Sequence, residues 1–126
     1  MTWDQLAIDL LKAARAMRET HPRSSASRSY YSAHIALAKE LESRGFVVKR
    51  PYSTQPHKGQ SKLIDQYLGH LGPKAVKRLK RTMSRLYSRR IDSDYVRRVT
   101  IDRGLAMDSL RDASAVCVAL KIKEAA

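Results

Sequence analysis

The sequence predicts an all-α protein, an up-and-down bundle of four main helices with one additional short helix. Apolar residues recur at a helical period in several segments, and no segment alternates apolar and polar residues as a strand does. The five glycines and four prolines fall largely between or near the ends of the periodic segments. A length of 126 residues is typical of one domain, so 1–126 is treated as a single domain.

The first two helices are predicted from capping patterns and apolar spacing. Thr2 and Gln5 match a capping box that opens helix 1, and Pro22 disfavours helical backbone just before it, so helix 1 ends by residue 21. Gly45 lies where the C-terminus of helix 2 favours a left-handed residue. The candidate N-caps of helix 2 are Ser24, Ser25 and Ser27. Its buried stripe is predicted to comprise Tyr30, His34, Leu37 and Leu41.

Three more helical segments are predicted in the second half of the chain. After an ordered loop over about 46–57, a short helix 3 covers about 60–68 and ends at Gly69. Helix 4 covers about 74–90 and is followed by a turn at 92–94. Thr100 with Asp102 then opens helix 5, which covers about 100–121.

The charge balance favours an anionic partner. Twenty-five Lys and Arg residues oppose twelve Asp and Glu, which gives a formal net charge of +13. Nucleic acid, an acidic protein and a membrane surface are the partners that such an excess attracts. Most of the cations are arginine, which forks onto phosphates and stacks on bases, so nucleic acid is favoured.

Most of the excess charge lies between residues 74 and 103, where eleven cations oppose three aspartates. At about 100° per residue, five cations of helix 4 share one face, and aliphatic residues such as Leu79 and Met83 lie behind them. Such a ridge can follow a phosphate backbone, whereas the alternative is a solvated face that only aids solubility. The predicted nucleic-acid-binding residues are Lys74, Arg78, Arg81, Arg85 and Arg89, with Arg97 and Arg98 beyond them.

Arg90 differs from these cations because its helical angle places it on the apolar side of helix 4. A buried guanidinium needs an acceptor, and Asp92 and Asp94 are the nearest carboxylates in sequence. A structural salt bridge and a direct catalytic role both remain open for Arg90.

Three segments resemble the HEPN superfamily, in the same order and over about residues 4–120. Arg28-Ser-Tyr-Tyr-Ser-Ala-His34 resembles its Arg-Ala-Tyr-Tyr-Ala segment, and His57-Lys-Gly-Gln resembles the entry to its middle helix. The stretch from Arg90 to Tyr95 is similar to its Arg-x-x-Ala-Asp-Tyr signature, with Ser93 in place of alanine, and a final alanine-rich helix follows.

The resemblance implies a helical bundle that forms a homodimer and acts on RNA. Many members are metal-independent endoribonucleases of toxin–antitoxin, phage-defence or RNA-processing systems. Others are non-catalytic and bind RNA, nucleotides or a nucleotidyltransferase, which here implies a nucleotidyltransferase-type antitoxin partner. Active members carry an arginine and a histidine with four to six residues between them, paired across the dimer. The pairs that fit this spacing are Arg15 with His21, Arg28 with His34, and Arg50 with His57.

A metal-free ribonuclease needs a base for the ribose 2′-hydroxyl and a cation for the phosphorane. His34 is the candidate base, although a hydrogen-bonded core histidine is the alternative. Six residues of helix turn a side chain by about 120° from its start, so Arg28 faces solvent while His34 faces the core, and only a second subunit could bring copies of the two together. The predicted catalytic residues are Arg28, His34, Arg90, Asp94, which orients Arg90, and Tyr95. Tyr30, Tyr31 and Tyr95 are the candidates to stack on bases, although Tyr30 also belongs to the predicted buried stripe.

Three functions remain open: an endoribonuclease, a non-catalytic binding module for RNA, nucleotide or a nucleotidyltransferase, and an adaptor for an acidic protein. No His or Cys cluster has metal-ligand spacing and no glycine pattern suits a nucleotide cofactor, so we expect neither metal nor cofactor. The single Cys117 and the shortness of the apolar stretches favour a reducing, cytoplasmic location without membrane insertion.

Overall fold

The computed structural model describes residues 2–47 and 57–122, without the side chains of residues 57 and 58. Within these ranges the regular structure is entirely helical, which confirms the all-α prediction. The predicted loop over 46–57 falls mostly outside the described residues. The elements are α1 (Trp3–Met17), α2 (Pro22–Ser43), α3 (His57–Tyr67), a 3₁₀ turn (Gly69–Leu71), α4 (Pro73–Tyr95) and α5 (Arg103–Ala119).

Helix α2 is the centre of the bundle and packs against α1, α4 and α5. Many of its buried residues are small, and two of its serines face neighbouring backbone. The hydroxyl of Ser25 donates to the carbonyl of Ala14 at 2.6 Å, and that of Ser32 donates to the carbonyl of Ala7 at 2.7 Å. These bonds let polar side chains be buried at the α1–α2 contact without loss of their partners. The largest fully buried apolar residues are Leu37, Leu41, Ile64, Leu68, Met83, Leu86 and Leu120.

The helix ends confirm some sequence predictions and correct others. Thr2 and Gln5 form the complete capping box of α1, and Gly45 has a φ of 98°, as expected after α2. The predicted serine N-caps of α2 are wrong, because the helix begins at Pro22, whose fixed φ suits the first position. Ser25 and Ser27 instead lie buried inside the helix. The helix α5 begins after Asp102, whose carboxylate caps it, and so later than predicted.

The predicted turn at 92–94 is also wrong, because α4 continues to Tyr95. Two contacts within the helix use side chains that usually mark a turn. The Asp94 carboxylate pairs with Arg90 one turn earlier at 3.1 Å, and the Ser93 hydroxyl donates to the carbonyl of Arg89 at 2.6 Å. A third contact comes from Arg23 of α2, whose guanidinium donates to carbonyls in the last turn of α4. That cation is a second donor to the carbonyls of Asp92 and Val96, which already accept backbone N–H groups, and it pairs the carbonyl of Ser93, which the end of the helix would leave unpaired.

Candidate functional site

Arg90 lies at the centre of a polar cluster between α2 and α4, named here the Arg90 cluster. Its guanidinium carbon lies 5.9 Å from the ring centroid of Tyr30 and 5.3 Å from those of Tyr31 and Tyr95. One terminal nitrogen donates to the Tyr31 hydroxyl at 2.6 Å and reaches the Tyr95 hydroxyl at 3.5 Å. The cluster therefore stabilises the cation through ring faces and hydroxyl oxygens together. Its residues are Arg90, Asp94, Tyr30, Tyr31 and Tyr95.

Asp94 supplies the negative charge of this cluster. Asp92 and Asp94 are the candidate partners of Arg90 in the sequence, and the structure pairs Arg90 with Asp94. Its Oδ2 lies 3.1 Å from Arg90 Nε without the alignment of a hydrogen bond, so the contact is an ion pair. The hydroxyl of Ser27 donates to the same oxygen at 3.3 Å. Burial alone would lower the pKa of Arg90, but Tyr31, Tyr95 and Asp94 outweigh burial and leave the pKa raised. Arg90 therefore stays charged at every physiological pH.

His34 lies beside the Arg90 cluster in the core, 8% exposed. Its Nδ1 atom is 2.6 Å from the amide nitrogen of Gln60 on α3, and its ring stacks on Tyr30 at 5.7 Å. Burial lowers the pKa of His34, and the nearby charge of Arg90 lowers it further. The imidazole is therefore neutral at pH 7. Gln60 was not singled out by sequence reasoning, because no local pattern connects it to His34.

The structure separates Arg28 from His34, as the helical rotation predicted. Arg28 lies on the exposed face of α2, and within the described part of the chain it makes no ion pair or hydrogen bond. His34 lies on the buried face of the same helix. Of the other two Arg–His pairs, the one at residues 50 and 57 falls outside the described residues. The structure thus brings His34 close to Arg90 rather than to Arg28.

The basic ridge of α4 is divided by ion pairs that the sequence did not reveal. Arg85 and Arg89 both bind Asp112 of α5, at 3.1 and 2.8 Å, so two of the five cations of the predicted ridge have a carboxylate partner within the protein. Lys80, on the neighbouring face, binds Asp65 of α3 at 2.9 Å. Four other cations in the first half of α4 are exposed and have no carboxylate partner among the residues that the structure describes. This unpaired basic face comprises Lys74, Lys77, Arg78 and Arg81, which line one open hollow.

Arg97 and Arg98 lie exposed in the loop that follows α4. The loop backbone is fixed by Arg23, which donates to the carbonyls of Asp92 at 2.9 Å and Val96 at 3.2 Å and also binds carbonyls further along the loop. Sequence reasoning missed this role of Arg23. The one available signal was a cation in the first turn of a helix, where the helix dipole disfavours positive charge.

Comparisons with protein-family models, with characterised proteins and with solved structures find no match for this chain. No described helix is long and apolar enough to cross a membrane. Over 2–47 and 57–122, no three His, Cys, Asp or Glu side chains cluster closely enough to hold a metal ion.

Proposed function

We propose that this protein binds RNA through the unpaired basic face of α4. The observation that carries the proposal is four exposed cations on consecutive turns without carboxylate partners in the described residues. They occupy the first half of the helix, where the dipole disfavours cations, and they repel one another at spacings of three and four residues. These four positive charges therefore destabilise α4 in the free protein. Binding of phosphate groups would neutralise the charges and remove this cost.

Two further features support RNA as the polyanion. The chain resembles the HEPN superfamily, many of whose members cleave or bind RNA. Tyr95 is 67% exposed near the exposed Arg97 and Arg98, and aromatic rings and arginines are the side chains that bind unpaired RNA bases and their phosphates.

The test measures RNA affinity against salt concentration by fluorescence anisotropy. A triple variant removes three cations of the unpaired basic face: Lys77→Gln, Arg78→Gln and Arg81→Gln. For single-stranded RNA we expect the slope of log K against log salt to become shallower by about 2, since each phosphate contact contributes about 0.7.

A matched control removes the same charge from other exposed positions: Lys12→Gln, Arg15→Gln and Arg111→Gln. Both triple variants carry a formal net charge of +10, that is, 13 minus 3. We expect the control to keep nearly all of the affinity. Equal losses in the two variants would mean that net charge alone drives binding and would refute the assignment to α4.

A metal-independent endoribonuclease acting as a homodimer of toxin or defence type is the second candidate. The observation that favours it is the neutral His34 close to the permanently charged Arg90. The amide nitrogen of Gln60 faces Nδ1, so Nδ1 accepts a hydrogen bond and the ring proton lies on Nε2. A base role at Nε2 therefore requires the Gln60 amide to turn its carbonyl oxygen toward the ring, so that the proton moves to Nδ1 and Nε2 is left free. Because His34 is buried, catalysis also requires a second subunit or an opening of the site.

The test for this candidate is incubation of the purified protein with total RNA in EDTA. Cleavage that is lost in His34→Ala and Arg90→Ala, but kept in the exposed control His70→Ala, which belongs to none of the candidate Arg–His pairs, would support it. Cleavage at the wild-type rate in the first two variants would reject these residues as the site. Co-purification of a nucleotidyltransferase with the wild-type chain would test the antitoxin partner separately.

A further inference from the structure

We propose that Tyr95 is a stacking platform for an unpaired base of single-stranded RNA, an inference that rests on the proposed RNA binding. Tyr95 is the last residue of α4 and is 67% exposed, while Tyr30 is buried and Tyr31 is only partly exposed. A ring of this size left in water does not contribute to the core. Base–aromatic stacking is the interaction that an exposed tyrosine in a basic surface offers to RNA.

The ring of Tyr95 is held in place from within the protein. Arg90 places its guanidinium carbon 5.3 Å from the ring centroid, and its terminal nitrogen lies 3.5 Å from the hydroxyl. Arg90 is itself fixed by Asp94 and Tyr31. A ring held in this way loses less conformational freedom on binding than a free surface side chain would.

Polar residues, named here the polar row, lie along one side of α4 between the unpaired basic face and this ring. Lys77 and Tyr95 are eighteen positions apart, which is five helical turns at 3.6 residues each, so they lie on the same side of α4, about 27 Å apart. Arg81, the half-buried Ser84 and the exposed Ser88 lie between them along this side, and the half-buried Ile91 interrupts the polar row about one turn before the ring. Serine hydroxyls and cations are ordinary phosphate contacts. At a spacing of 3.4 Å or more per nucleotide, at most about eight nucleotides cover this length.

The ligand is a single strand and not a duplex. Bases inside a duplex stack on each other and cannot present a face to a protein ring, whereas splayed bases can. Arg97 and Arg98 extend the positive surface just beyond the ring, on the loop that Arg23 holds in place. The row, the ring and this loop thus suit a strand that runs along α4 and unstacks a base at its end.

The experiment compares three probes: a single-stranded oligoadenylate that is longer than the polar row and has no paired bases, an abasic ribose-phosphate strand of the same length, and a blunt duplex of mixed sequence. We expect Tyr95→Ala to weaken oligoadenylate binding roughly 5- to 100-fold, with the salt slope unchanged, because one base stack is lost and no phosphate contact. Binding of the abasic strand and of the duplex should change less than about twofold, because neither offers an unpaired base. Tyr95→Phe and Tyr95→Trp keep a ring and should retain binding of the oligoadenylate.

Val118→Ala serves as the matched control, since Val118 is also an exposed large apolar residue but lies on α5. Thermal denaturation of each variant shows whether it is folded. If Tyr95→Ala does not fold, Tyr95→Phe and Tyr95→Trp, which keep a ring, still test the proposal. Unchanged oligoadenylate binding in Tyr95→Ala, or equal weakening of all three probes, would overturn the stacking platform while leaving binding at Lys77 and Arg81 intact. Loss of binding in Tyr95→Phe and Tyr95→Trp would also overturn it. Failure of the wild type to bind any probe would overturn the proposed function as well.

Discussion

Replacing Lys74 by glutamate is expected to stabilise the fold while it weakens RNA binding. Lys74 is the second residue of α4, and Lys77 and Arg78 follow it at three and four positions, so the three side chains are neighbours on the helix surface. A cation here opposes the helix dipole and repels both neighbours. Each of these contributions reverses sign when the side chain becomes a carboxylate.

The size of the stabilisation by Lys74→Glu follows from these contributions. Exchanging an exposed cation for an anion at a helix N-terminus changes the free energy of unfolding by about 0.6–2 kcal/mol. Reversing two like-charge pairs adds about 0.4–1 kcal/mol for each pair. Because solvent screens exposed charges, we expect the low end of the sum, about 1–2 kcal/mol. For 126 residues this raises Tm by roughly 4–8 °C.

The assay is thermal and urea denaturation of the wild type, Lys74→Gln and Lys74→Glu at low and high salt, with RNA affinity measured on the same samples. Lys74→Gln should show about half of the gain, because it only removes the repulsion. Near 1 M salt the screening length falls to about 3 Å and the gain should largely vanish. A Lys74→Glu variant that is less stable than wild type, or equally stabilised at both salt concentrations, would refute the reasoning.

Burial lowers the pKa of His34 in the folded chain, so the unfolded chain binds its proton more readily. Above about pH 6.5, the pKa of His34 in the unfolded chain, its titration leaves the free energy of unfolding unchanged; at lower pH that free energy decreases, by at most about 1.4 kcal/mol per pH unit. The difference in free energy of unfolding between wild type and His34→Gln should therefore become smaller as pH falls, as measured by urea denaturation. A difference that stays constant with pH would contradict this. Arg23→Met should lower the free energy of unfolding by about 1–3 kcal/mol, as measured by chemical denaturation, because several hydrogen bonds to carbonyls are lost, and Arg23→Lys should give an intermediate value. An unchanged denaturation midpoint would show that these hydrogen bonds do not hold the end of α4. Asp112→Asn releases Arg85 and Arg89 and should steepen the salt dependence of RNA binding by about 0.7 per cation that engages phosphate, while an unchanged slope would show that both lie away from the RNA.

Local patterns were enough to predict most of the secondary structure and part of the candidate site. The capping box of Thr2 and Gln5 and the left-handed Gly45 depend only on residues within one helical turn. The rotation per residue likewise predicted that His34 is buried and Arg28 exposed. Such features follow from the sequence because the interacting groups are close together along the chain.

The tertiary structure decided which charges are free and where α4 ends. The helix passes through 92–94, where the sequence predicted a turn, partly because Arg23, about seventy residues earlier, binds the carbonyls of its last turn. Asp112 pairs with Arg85 and Arg89 of the predicted ridge across gaps of 27 and 23 residues. These contacts join residues that share no helical period, so only the packing of α2 and α5 against α4 determines them. By itself the sequence thus determined the helices and the overall charge. Which cations are accessible, and how the tyrosine rings are arranged around Arg90, depended on the folded bundle.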